Sequence, residues 1–213
     1  MSVIYAVRHG DYANPEGIIP GRTFIVHLNR RGKEQAERIA AYLSDKGIRA
    51  IYSSPLARAT ETAKPSAKRF RLEVNILGDL TNVRSPPPNG LDGTPFSYFS
   101  GNAYKDPRHL KADGEMPDEI FARMRRVLDR MLGEYPDQNV AFFSHGDPIE
   151  FLRHGLLGHD LNPDMADKVK GYIARGDAYE LVFDGRRFIS AQRLCIQTER
   201  IVDEGTVASG RVK

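Results

Sequence analysis

The chain has 213 residues, 40% of them hydrophobic and 28% charged, a balance that suits one soluble globular domain with a sizeable core. No apolar run approaches the roughly 20 residues of a membrane span, and the amino terminus lacks the basic-then-apolar pattern of a secretory signal, so a cytoplasmic protein with no membrane partner is expected. The net charge of +3 permits an anionic ligand. Its basic residues are interleaved with acidic ones, however, which argues against a nucleic-acid partner.

The first predicted element is a short buried strand over residues 3–7, which halts at Arg8, His9 and Gly10. Ligands of open α/β sheets bind outside the carboxyl ends of strands, so this is a place to look for a site. His9 offers an imidazole that can act as nucleophile or base, Arg8 a permanent positive fork, and Gly10 room for close approach. After an irregular stretch, Asn29 reads as the N-cap of a helix running to about residue 46, with Gly47 as its stop. Residues 48–52 form a second strand leading to Ser53, Ser54 and Pro55. Ser54 as N-cap and Pro55 at the first helical position predict a helix through Ala67, in which Pro65 is a blemish. Arg58 lies in its opening turn, where backbone N–H groups and a guanidinium together make an anion site.

Residues 74–77 suggest a third strand. Residues 79–116 are irregular, with three consecutive prolines and several aromatics, and read as an inserted lid. A strongly periodic helix follows over 117–135, then a buried strand over 139–143 that ends in Ser144, His145, Gly146, Asp147 and Pro148. Pro148 is expected to open another helix, on which His154 can pair with Glu150 at a spacing of four. A helix over 162–175, a hairpin of 179–183 with 187–191, and a loose tail from 203 complete the reading. The single Cys195 sits between Leu194 and Ile196 and is expected to pack rather than react. Alternating strands and helices predict an α/β fold: three layers, α/β/α, around a mostly parallel sheet, in one domain spanning residues 1–213.

Arg8-His9-Gly10, Gly21-Arg22, the run LNRRGKEQA at 28–36, the run SSPLARATETA at 53–63, and Ser144-His145-Gly146 occur in this order. Together they resemble the histidine phosphatase superfamily, whose fold is phosphoglycerate-mutase-like. The resemblance implies that His9 attacks phosphorus to form a phosphohistidine, which water then hydrolyses. It also implies that Arg8, Arg58 and a protonated His145 offset the charge of the transferring group, with no metal or other cofactor. A small phosphorylated substrate is the implied partner, touched by Gly10 and Gly146 and, at the rim, by Asn14, Arg22 and Arg84. His27, His109, His154 and His159 show no metal-ligand spacing.

The family's usual general acid is a glutamate just after the third strand, where this chain has Asn82. Asp79 and Asp147 are the nearest substitutes, with Asp92 and Glu115 further off in the insert, and Asp11 is expected to shape the loop. A protein-phosphohistidine phosphatase, a mutase-type phosphotransferase and a phosphate-binding regulator with a degraded site stand as alternatives to a phosphate monoester hydrolase.

Overall fold

A computed structural model describes residues 1–14, 20–84, 103–105, 109, 113–164, 171–198 and, by backbone, 200–206. Its strands are β1 (Ser2–Arg8), β2 (Ile48–Ser53), β3 (Val74–Ile76), β4 (Asn139–Ser144), β5 (Ala178–Asp184), β6 (Arg187–Cys195) and β7 (Arg200–Thr206). The helices are α1 (Arg30–Tyr42), α2 (Ala57–Phe70), α3 (Pro117–Glu134) and α4 (Gly146–Leu156). All seven strands join one sheet in the order β3-β2-β4-β1-β5-β6-β7. From β3 to β1 the pairing is parallel, as expected; β5, β6 and β7 extend the sheet antiparallel.

Period-two alternation along β1 builds two cores. Ile4 and Ala6 face a cluster with Ile120, Met124 and Leu128 of α3 and Leu152 of α4. Tyr5 and Val7 face the opposite cluster, with Ile39 from α1 and Ala63 and Ala67 from α2. This is the three-layer α/β/α arrangement, and it explains why the central strands are apolar on both faces.

The parallel register decides where the chemistry falls. Arg8 pairs with Ser144, and Ser53 with Phe143, so the carboxyl ends of β1, β4 and β2 lie side by side. The chain segments that follow those ends begin with His9, His145 and Ser54.

Several local expectations are met and others corrected. Asn29 caps α1, its side-chain oxygen accepting from Gly32 N–H at 2.8 Å. The second helix starts at Ala57, two residues later than Ser54 and Pro55 predicted, and it runs through Pro65 to Phe70. The helix after β4 starts two residues before Pro148, at Gly146. Of the helix expected over 162–175, residues 162–164 and 171–175 form turns and irregular backbone, and 165–170 lie outside the described residues. Residues 203–206, expected to be loose, belong to β7 and pair with β6. Glu150 does not meet His154: it is buried, accepts from Ile173 N–H at 2.7 Å and Tyr179 O–H at 3.1 Å, and pairs with Arg153. His154 instead places its Nδ1 2.8 Å from Nδ1 of His159. Among the described residues, no helix is long and apolar enough to cross a membrane.

Candidate active site

His9 continues the sheet by one residue, its N–H donating to the Ser144 carbonyl at 3.0 Å. The loop beyond is then pressed against α1 and α2. Gly10 N–H donates to Thr62 Oγ1 at 3.0 Å, and Asp11 N–H to Gln35 Oε1 at 2.7 Å. Gly32 makes this contact feasible, because a Cβ there would lie 1.9 Å from the Asp11 carbonyl oxygen. The glycine of the LNRRG run therefore serves the loop after β1 rather than the helix that contains it.

His9 is 4% exposed and His145 1%, with their ring centroids 5.1 Å apart. His9 Nδ1 lies 2.8 Å from the Gly10 carbonyl, which can only accept, so Nδ1 carries the proton and Nε2 keeps its lone pair. Burial, then the charges of Arg58 and Arg8, hold this imidazole well below its ordinary pKa of 6.5. His145 is pushed the same way by burial, Arg58, His9 and Arg8. The protein's own charges thus favour a neutral His145, against the expected imidazolium. Its Nε2 is 2.9 Å from Ser54 Oγ, which also accepts from Leu56 N–H at 3.3 Å. Ser54 therefore accepts a backbone amide as an N-cap does, two residues before the N-cap position at Leu56, and at the same time touches the second histidine.

Arg58 and Arg8 are held by carbonyls and aromatic faces. Arg58, 1% exposed, donates to the carbonyls of Gly21 at 2.7 Å and Thr23 at 3.2 Å. Its Cζ sits 5.9 Å from the Tyr12 ring centroid. Burial, helped by Arg175 and Arg8, pulls its pKa down to about 10, which still leaves it charged at neutral pH. Arg8 donates to the Ile173 carbonyl at 2.5 Å and lies over the Tyr172 ring at 5.0 Å. Arg8 Nε, Arg58 Nε and His145 Nδ1 are buried and have no partner among the described residues. Three buried nitrogens without partners in one site are the mark of a place built for a ligand.

The remaining predicted residues are placed differently. Asp147 accepts from Tyr104 O–H at 2.7 Å and from Tyr172 O–H, so both of its oxygens are occupied. Gly146 lies under Tyr172, whose hydroxyl would be 2.1 Å from a Cβ there. Asp79 is half-exposed and faces Arg126 at 3.8 Å. Asn82 donates to the Gly21 carbonyl at 3.2 Å, and its own carbonyl accepts from Arg22 at 2.8 Å. Asn14 is half-buried in the loop after β1.

Arg22 and Arg84 line a cavity of about 430 Å³ with Asp79, Glu115, Arg123 and Arg126, and none of His9, His145, Arg8 or Arg58 borders it. Glu115, 4% exposed, accepts from Arg123 at 2.5 and 3.0 Å, from Arg22 at 3.3 Å and from Arg84 N–H at 3.1 Å. Burial raises its pKa, but Arg123 and these other donors outweigh that and hold it below the usual range. Asp92 lies outside the described residues.

Sequence reasoning missed Tyr12, Arg175 and Tyr172. Arg175 Cζ stacks 4.4 Å from the Tyr12 ring centroid, while its nitrogens donate to Tyr12 Oη and Asp11 Oδ1, each at 3.2 Å. Tyr12 in turn lies 5.6 Å from the His9 ring. Arg175 and Tyr172 fall in the segment read as a helix, where no local signal tied them to the amino terminus. The adjacency of Tyr12 to the Arg-His-Gly motif was the one available sign.

The sequence profile of the histidine phosphatase superfamily (branch 1) matches residues 4–189. A Mycobacterium tuberculosis protein described as uncharacterized protein Rv0525 is 33% identical over 194 residues, covering 87% of this chain and 92% of that one. Phosphoglycerate mutase-like protein 4 of Arabidopsis thaliana is 33% identical over 158 residues, covering 70% and 68%. Among solved structures, a phosphoserine phosphatase mutant of Entamoeba histolytica in complex with phosphoserine superposes with a TM-score of 0.70 at 21% identity, covering 98% of each chain.

Proposed function

The chain belongs to the histidine phosphatase superfamily, branch 1, and on that premise we propose that it is a metal-independent phosphatase acting on small phosphate monoesters through a phosphohistidine on His9. The observation that carries this reading is a neutral imidazole with its Nε2 lone pair available, enclosed with a second histidine, the buried guanidinium of Arg58 and the half-buried one of Arg8, neither of which forms an ion pair with a carboxylate among the described residues. His9 Nε2 attacks phosphorus as the bond to the leaving oxygen breaks, and water later displaces the phosphoryl group from the nitrogen. Arg8 and Arg58 meet the charge that spreads over the equatorial oxygens, and their carbonyl and aromatic supports keep them in place before substrate arrives.

His145 completes the ring of donors. Burial first, then the charges of Arg58 and Arg8, push it toward neutrality; a phosphate dianion beside those charges opposes them, so substrate binding favours proton uptake by His145. The Entamoeba enzyme's complex with phosphoserine supports a small phosphorylated substrate. The chain is read as one domain carrying this site, with residues 79–116 as its insert.

The test is hydrolysis of 4-nitrophenyl phosphate with a chelator present, combined with trapping of an acid-labile, base-stable phosphoprotein. Turnover and label are expected in the native chain and absent from His9→Ala. Activity that survives His9→Ala overturns the nucleophile; activity abolished by the chelator overturns the metal-free reaction.

A further inference from the structure

A strongly basic oxygen leaving group requires a proton, and among the described residues the carboxylates considered for this role are committed elsewhere. Among the described residues, Asp147 holds a tyrosine hydroxyl on each oxygen. Asp11 forms an ion pair with Arg31 through Oδ2 at 3.1 Å and accepts from Arg175 on Oδ1 at 3.2 Å. Glu115 is enclosed by Arg123, Arg22 and the Arg84 N–H. Asn82 carries no acidic proton, and Asp79 borders a cavity that does not include the histidines.

Tyr12 is placed otherwise. Its backbone is fixed by a bridge to Leu28 and by Asn29 Nδ2, which donates to its carbonyl at 3.3 Å. Its ring stands beside His9 and between two guanidiniums, Arg58 at 5.9 Å and Arg175 at 4.4 Å from its centroid. The hydroxyl oxygen accepts from Arg175, so its own proton is left to donate. The side chain of Arg175, which donates to this hydroxyl, is 37% exposed. In-line displacement sends the leaving oxygen to the side of phosphorus away from the nucleophile, and a donor role for Tyr12 requires its hydroxyl to reach that side.

We propose that Tyr12 is the proton donor to the leaving group, a role that rests on the phosphatase reading above and adds to it a catalytic residue beside the nucleophile. In the first step the P–O bond breaks as P–Nε2 of His9 forms. The bond's electron pair goes to the leaving oxygen, which takes the Tyr12 proton. The phenolate so formed faces Arg58 and Arg175. In the second step water attacks phosphorus and passes a proton to the phenolate. The P–N pair returns to His9, and both residues are restored. The arrangement gives the site esters with ordinary alcohol or phenol leaving groups, not only phosphoramidates or activated esters.

Single-turnover formation of phosphohistidine from phenyl phosphate and from 4-nitrophenyl phosphate tests this, because phenolate needs the proton far more than nitrophenolate does. Tyr12→Phe keeps the ring between the arginines and removes only the donor. It is expected to slow the phenyl ester by about 10²-fold or more and the nitrophenyl ester by less than about fivefold. The native chain should also show a solvent deuterium isotope effect on the phenyl ester that the nitrophenyl ester lacks, a readout that does not depend on how the variant folds. Equal losses on the two esters, no loss on the phenyl ester, or isotope effects that do not differ overturn the role of Tyr12 while leaving the nucleophile intact. A native chain that forms no phosphohistidine from either ester overturns the phosphatase reading, and this inference with it.

Discussion

Two groups of arginines are held in opposite ways. Arg8 and Arg58 rest on backbone carbonyls and aromatic rings, partners that orient a guanidinium without cancelling its charge. Arg22 and Arg123 converge on the carboxylate of Glu115, which offsets one of their two charges. The first arrangement keeps positive charge available for an incoming dianion; the second builds a support under the segment 79–84. In the sequence, the motif resemblance sets Arg58 among the groups that offset charge and Arg22 among the substrate contacts at the rim. Their partners separate them.

This contrast can be broken by substitution. His9→Ala should remove the phosphoprotein and lower kcat on the order of 10⁴-fold or more, as loss of a nucleophile does, read by stopped assay and phosphohistidine blot. Arg58→Ala should lower kcat/KM by roughly 10²–10³-fold, and Arg58→Lys should recover little because the fork is lost. Arg123→Ala should act on stability instead: it strands a buried carboxylate at a cost of about 3–5 kcal/mol in urea unfolding, while the folded fraction keeps most of its kcat. Arg22→Ala, whose side chain is 38% exposed, should change stability by no more than about 1 kcal/mol and leave kcat/KM close to native. An Arg22→Ala variant as inactive as Arg58→Ala would erase the distinction between the two groups.

The histidines add a smaller, pH-dependent term. Both folded-state pKa values lie below 6.5, so the unfolded chain binds more protons as pH falls through that value. The stability from burying neutral His9 and His145 is therefore complete above about pH 6.5 and declines as pH falls toward their folded values. Melting temperature should drop between pH 7.5 and 5, with a shallower slope in His9→Gln and His145→Gln. A slope unchanged in both variants would contradict the neutral assignment.

The legible part of this site is the part written in short runs at strand ends. Arg8, His9, Arg58 and His145 announce themselves because a buried strand followed by a polar motif is visible within ten residues, and the parallel register then brings three such ends together. Asn29 was legible for the same reason: a cap acts three residues away. Arg175, Tyr172 and Glu150 were not, because their partners Tyr12, Arg8 and Ile173 are distant in sequence or lie across an irregular loop. Glu150 reads locally as a helix-surface acid, and only the fold places Tyr179 and the Ile173 amide over it. β7 was missed because its pairing with β6 outweighs a polar, glycine-containing sequence.

Ser54 gives one oxygen atom to two tasks, receiving the Leu56 amide at the start of α2 and meeting His145 in the site. A substitution there is pleiotropic by construction: an aspartate would satisfy the amide as well as serine does yet set a full negative charge against the second histidine, and an alanine would release both at once. Selection on the folding of α2 and selection on the reaction therefore act through the same hydroxyl. Drift toward capping residues that lack a hydroxyl, tolerated at most helix starts, is closed to this one.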